Sequence, residues 1–277
     1  MRRSTTSGAT KRPVLGLLIA GEVVVAVVLL VSMAPAPPRP PVVVAAPSAH
    51  TATADASDVV LRDGRTVEFL MLGGEPRLAI RLKAEFSAAS NAVTAFWGDD
   101  WPRHVVVVLT GTDEQFRVIG GGGPDVAATT TRTRIVFAPG ADAMSSNALR
   151  LVLRHELFHF ASSGDTTPDA PRWLAEGVAD FVGRPPASRP GPLRAAELAV
   201  LPTDVDLYTP GDVRTLAYDR AWWFARFVAD RYGTDALKRL YLAVCGPGHR
   251  DAADAIRGVL GAEPERVLAA WRSWLAG

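Results

Sequence analysis

The sequence predicts an α+β fold: a small mixed sheet, then a largely helical C-terminal part, with one transmembrane helix in front. Three observations predict it. The run from Val14 to Met33 is almost wholly apolar, β-branched stretches crowd between residues 58 and 138, and helical spacing dominates from residue 145 onward. Hydrophobic residues make up 48% of the 277 and charged residues 21%, enough apolar side chain for a sizeable core. Net charge is +1, with acids interspersed among the arginines. A nucleic-acid binder would instead concentrate basic residues on one face, so no nucleic-acid partner is expected.

Residues 1–12 form a basic tail carrying Arg2, Arg3, Lys11 and Arg12 and no acid. Residues 13–33 are read as the membrane anchor, since about 20 residues at helical rise span one hydrocarbon core. Glu22 is the one charge inside it. The basic flank stays in the cytoplasm, which places the remainder outside. A cleaved signal peptide is the alternative, with Ala34-Pro35-Ala36 resembling a cleavage site, but its apolar region is usually only about 7–15 residues long. Residues 34–57 are rich in Pro, Ala, Ser and Thr and include Pro37-Pro38-Arg39-Pro40-Pro41, a stiff spacer. Residues 58–277 are then one domain.

Within that domain, residues 58–72 read as strand–turn–strand about Arg62-Asp63-Gly64-Arg65. Glu75 to Trp97 has helical spacing. His104 to Leu109, with four consecutive valines, reads as a buried strand, and Asp113 to Val118 as a short helix. Gly120 to Gly123 is a loop with no phosphate-binding Lys or helix start after it. Thr129 to Phe137 reads as another strand. A helix is expected to begin near Ser145-Ser146-Asn147, all favoured N-caps, and to run through Phe160. Its apolar residues occupy nearly every side, so it is buried, yet it carries Arg154, His155, Glu156 and His159. Buried polar groups need partners, and a metal would satisfy several at once. A second helix holds Trp173 to Val182, residues 185–192 are a loop, and four helices follow at about 212–232, 234–244, 250–260 and 264–275.

His155-Glu156-Leu157-Phe158-His159 carries the chemistry. Two histidines four apart lie on one helix face, about 6 Å apart at Cα, and both imidazoles can reach one tetrahedral zinc. Glu156 is rotated by about 100° from His155, which suits it to act as general base on a zinc-bound water rather than as a ligand. A zinc site wants a third ligand. Glu176, in Trp173-Leu174-Ala175-Glu176-Gly177-Val178-Ala179-Asp180, is the candidate, and Asp180, one turn on, can accept the free N–H of a ligating histidine. The alternative leaves both carboxylates on a solvated face. The single cysteine, Cys245, excludes a multi-cysteine zinc site and reads as a packed small hydrophobe. His50, His104 and His249 read as a linker, a strand-start and a loop histidine.

These motifs resemble the gluzincin metallopeptidases, and the short anchored chain is similar to the small bacterial peptidase MA-like domains. The resemblance implies a zincin-like fold over roughly residues 60–277. It implies zinc held by His155, His159 and Glu176, with Asp180 orienting His155 and Glu156 driving peptide-bond hydrolysis on a peptide or protein substrate. Tyr218-Asp219-Arg220-Ala221 is similar to a helix start of the gluzincin aminopeptidases, which implies that Tyr218 stabilises the oxyanion; Tyr208 is a second candidate. The upstream Gly-x-Met-Glu-Asn segment of those aminopeptidases is missing, its place taken by Ala143-Met144-Ser145-Ser146-Asn147. The segment 133–138 sits where the family's edge strand would pair with an extended peptide. The expectation is therefore an extracytoplasmic, single-pass zinc metallopeptidase. The alternative is an inactive, zinc-stabilised anchored binding protein.

Overall fold

The computed structural model describes residues 58–123 and 125–277. The expected anchor at 13–33, its basic tail and the linker lie outside the described residues. Among the described residues, no helix is long and apolar enough to cross a membrane.

The fold is mixed α+β, with a five-stranded sheet and ten α-helices among the described residues. Strand β1 (Val59–Val60) turns back antiparallel onto β2 (Thr66–Leu72), as the strand–turn–strand pattern predicts. Helix α1 (Pro76–Trp97) crosses over to β3 (His104–Thr110), which lies parallel to β2 with Val67 opposite Val105. Helix α2 (Asp113–Gly120) follows, started by Thr112, whose side chain accepts the Gln115 N–H. The sheet order is β1-β2-β3-β5-β4, which places the four-valine strand in the middle. That position explains its unbroken apolar run: Val105, Val107 and Leu109 face the main core, while Val108 packs with Phe116 of α2 on the other side.

The expected strand over 129–137 is instead a tight hairpin of β4 (Ala128–Thr130) and β5 (Ile135–Phe137). The break has a local cause. The Thr131 hydroxyl accepts the N–H groups of Thr133 and Arg134 at 3.3 and 3.2 Å, and the Thr131 N–H reaches the Arg134 carbonyl at 2.9 Å. Such a hydroxyl-stabilised turn competes with extension. It also keeps Arg132 and Arg134 in solvent. As a result the edge strand is β4, and the segment expected at the edge, 133–138, lies inside the sheet between β3 and β4.

Helix α3 (Ser146–Ser162) starts where the cap residues predict, with the Ser145 hydroxyl accepting the Ala148 N–H at 3.2 Å. It is buried along most of its length, beneath the sheet and against α1 and α4 (Arg172–Gly183). The chain from 192 to 208 holds two short helices without a sequence forecast, α5 (Pro192–Leu198) and α6 (Asp204–Tyr208). Then come α7 (Asp212–Tyr232), α8 (Thr234–Cys245), α9 (Ala252–Leu260) and α10 (Pro264–Ala276), close to the expected bounds. Helix α9 ends on Gly261 in the left-handed conformation. Phe224, Phe227 and Trp271 fill the space between the C-terminal helices, each burying a large aromatic surface.

Helices α4 and α7 approach unusually closely at Gly177. A Cβ there would stand 2.7 Å from the Ala221 carbonyl oxygen. This contact brings α7, and Tyr218 with it, up against the helix carrying Glu176.

Candidate metal centre

Helix α3 supplies His155, Glu156 and His159 from its buried C-terminal half, and α4 supplies Glu176 and Asp180. All five are buried. The solvated-face alternative for Glu176 and Asp180 is thereby excluded: they are 1% and 2% exposed.

The two helices bring three donor atoms together. His155 Nε2 is 3.1 Å from His159 Nε2 and 3.2 Å from Glu176 Oε2, and His159 Nε2 is 3.8 Å from the same oxygen. Three ligands around a tetrahedral ion at about 2.0–2.1 Å would stand about 3.3 Å apart, close to these separations. The histidine tautomer fits as well. His155 Nδ1 lies 2.9 Å from Asp180 Oδ1, so Nδ1 carries the donating hydrogen, and Nε2 is the nitrogen left to give its lone pair to a metal in place of a proton. Glu176 Oε2 is buried with no hydrogen-bond partner. Lone pairs and a carboxylate oxygen packed this closely are stable only around a positive charge, whether a proton or a metal ion. His155, His159 and Glu176 are thus a buried group able to hold a metal ion.

The proton affinities express the same demand. Burial alone would lower the His155 pKa, but hydrogen bonds and charge from Asp180 and Glu176 outweigh it and raise the value to about 10. His159 moves down, chiefly through burial. Burial works to raise the Glu176 pKa, yet the Arg172 charge and the two histidines pull it well below the ordinary carboxylate range.

Glu156 stays outside the ligand group, as its rotation around α3 predicts. It is wholly buried, and the Thr130 hydroxyl, on edge strand β4, donates to its Oε2 at 2.7 Å. Oε1 has no partner. Burial raises its pKa to about 8 despite the nearby His155 charge and the Thr130 hydrogen bond.

A cleft of about 210 Å³ opens over this centre, bordered by Thr130 and Thr131, by His159, Ser162 and Thr166, and by Arg172 and Glu176. Tyr208 is half in solvent and closes one side of the cleft, its ring 4.7 Å from the Arg172 guanidinium. Tyr218 is buried on α7 and hydrogen-bonds with Arg172. Burial first, then the Glu176 charge, raises its pKa well above the tyrosine norm, which keeps the hydroxyl protonated. Tyr218 therefore reaches the centre through Arg172 rather than as a member of the ligand group.

Three contributors escaped the sequence reading. Thr130 braces Glu156. Arg172, one turn before Glu176, sits with Nε 3.4 Å from Glu176 Oε1; its helical offset to Glu176 was a signal available in the sequence. Asp204, at the start of α6, accepts the Arg172 and Trp173 N–H groups at 3.1 and 3.0 Å and so caps α4 from outside that helix. Among the described residues the other two histidines stay apart from the donor group, and His50 lies outside the described residues. His104 is exposed and contacts Glu68, and His249 meets Asp169 at 3.4 Å on the cleft rim. Cys245 is fully buried, and burial pushes its thiol pKa up, so it is packed and unreactive.

A scan against protein-family models finds no match, and no curated protein sequence matches the chain.

Proposed function

We propose that the chain is a zinc metallopeptidase of gluzincin type, anchored by residues 13–33 and acting on peptide or protein substrates outside the cytoplasm. The observation that carries this proposal is the buried donor group: two imidazole nitrogens and one carboxylate oxygen at tetrahedral separations, with His155 oriented by Asp180. Two nitrogens and one oxygen suit zinc, and three protein ligands are the number used at catalytic sites. Zinc bound there would polarise a scissile carbonyl and make water more acidic.

The protein's own groups then divide the work. Glu156, braced by Thr130, takes a proton from the attacking water as its oxygen bonds to the carbonyl carbon. It returns that proton to the amide nitrogen as the C–N bond breaks. Tyr218, kept as a hydroxyl donor, is held by Arg172 behind the cleft wall and acts through that guanidinium on the negative charge developing on the carbonyl oxygen. Edge strand β4 borders the cleft through Thr130.

The full-length chain purified without chelator should contain about one equivalent of zinc; less than ~0.5 would sink the proposal. Glu156→Gln should keep the zinc and lose peptide hydrolysis by roughly 10²–10⁴-fold. A wild-type chain that holds zinc but cleaves nothing in a peptide library would favour the non-enzymatic alternative.

A further inference from the structure

At the other end of α4, away from the cleft, lies a second and larger cavity, about 540 Å³. Arg154 of α3, Arg184 just after α4, and Trp222, Arg226 and Asp230 of α7 line it, together with Pro185 and Pro186. It shares no lining residue with the cleft.

The charges there do not balance. Arg184 is compensated: Nη2 lies 2.7 Å from Asp180 Oδ2, and Nη1 donates to Asp219 Oδ1 at 2.8 Å. Its Nε is buried with no partner. Arg154 makes no hydrogen bond or ion pair among the described residues, and its Nε is also buried without a partner. The acid whose field it feels, Glu85, is committed to Arg150 through two hydrogen bonds of 2.8 Å. Arg226 donates to the Ala187 carbonyl at 2.7 Å and stacks on Trp222 and Trp223, but it forms no salt bridge. Asp230 accepts the Trp274 indole N–H at 2.6 Å and stands 3.5 Å from Arg189. Arg154 therefore faces the cavity with no anion of its own, and Arg226 with only Asp230, which Arg189 and Trp274 already engage. Burial and the neighbouring Arg189 lower the Arg226 pKa, while Asp230 works the other way.

The unpaired buried Nε–H of Arg154 is costly, and the planar guanidinium fork it shares with Arg226 matches the oxygens of phosphate or carboxylate. The aromatic floor under Arg226 and Arg184 fixes the forks in place instead of leaving them free in water. We infer that this cavity is a binding site for one small oxyanion, a phosphate or carboxylate group, held between Arg154 and Arg226.

The test uses the full-length chain and inorganic phosphate. Binding followed by calorimetry should saturate at one equivalent, and at tenfold excess over Kd the melting temperature should rise by about 4 °C. Citrate should act alike if a carboxylate serves; a response to phosphate alone would assign the site to phosphate groups. The paired substitutions Arg154→Gln and Arg226→Gln should abolish the shift. Phosphate should also shield Arg154 and Arg226 of the unaltered chain from phenylglyoxal, read by peptide mass, which needs no variant to fold. The inference is overturned if chloride at equal ionic strength gives the same stabilisation, or if the substituted chain keeps the shift. It is likewise overturned if phosphate leaves both arginines as reactive as before. The phenylglyoxal shielding, read at Arg154 and Arg226 themselves, depends on neither zinc nor hydrolysis.

Discussion

Arg172, the first residue of α4, and Arg184, just beyond its last, each stand one helical turn from a buried carboxylate. At the far end Arg184 closes on Asp180 at 2.7 Å and spends its other arm on Asp219. At the cleft end Arg172 stays 3.4 Å from Glu176, and Glu176 turns its other oxygen, unpartnered, toward the two histidines. The same i,i+4 geometry thus gives a closed ion pair in one place and an open one in the other. A closed pair is a structural brace. An open pair over converging lone pairs is a group able to hold a metal ion, because a cation from outside can make good its electrostatic deficit.

The largest expected effect separates the two carboxylates. Glu176→Gln should cut bound zinc to below ~0.1 equivalent, since one of three ligands is gone. Asp180→Asn, acting only through the orientation of His155, should weaken zinc affinity by about 10–100-fold, measured by competition with a chromogenic chelator. Equal losses in the two variants would erase the distinction between ligand and brace.

The arginines should differ next. Arg184→Met breaks a mostly buried pair and should destabilise by about 3–5 kcal/mol in chemical denaturation, with or without zinc. Arg172→Met should also destabilise the zinc-free chain, but added zinc should recover at least about half of that loss, because the metal takes over compensation of Glu176. Rescue of both variants to the same degree would contradict the contrast drawn between the two ends.

Gly177→Ala comes third. The added methyl meets the backbone of Ala221, which has no side-chain rotation to relieve it. A loss of about 1–3 kcal/mol is expected from thermal unfolding, with hydrolysis falling further as Tyr218 is pushed outward.

The smallest effect belongs to a pair on α1 and α3. Hydrogen bonds from Arg150 hold the Glu85 carboxyl below the ordinary 4.5. A folded-state value below the unfolded one means the contribution is complete above that ordinary value and is lost as the pH falls through the lowered one. Arg150 is substantially exposed, so solvent screening keeps the contribution of the pair small. Glu85→Gln should therefore be slightly less stable at pH 7 and show a shallower decline in melting temperature between about pH 5 and 3.

Much of this centre is legible before any fold is known. His155 and His159 share a face because of helical periodicity, Glu156 is turned away by the same periodicity, and Ser145 announces the start of α3. These are local properties, set by the bonds between near neighbours in the chain. The central strand β3 and the C-terminal helices are legible for the same reason. The hairpin at 131–134 was hidden, because a single threonine hydroxyl outweighs the β-branched run around it. Helices α5 and α6 were hidden in a stretch rich in Pro, where short helices depend on what they pack against.

Residues 155–180 thus determined on their own that one buried helix would carry two histidines at metal-site spacing and that Glu176 and Asp180 would be available on a second. Only the tertiary structure decided that the second helix would lie with Glu176 Oε2 between two imidazoles, that Thr130 would come from the sheet to brace Glu156, and that Asp204 would cap α4 from a distant helix. It also decided that Arg154 and Arg226, 72 positions apart in the sequence, would share a cavity whose lining acid, Asp230, is engaged by Arg189 and Trp274. The physical reason is common to all four: each depends on the distance between side chains remote in sequence, which packing sets and periodicity does not.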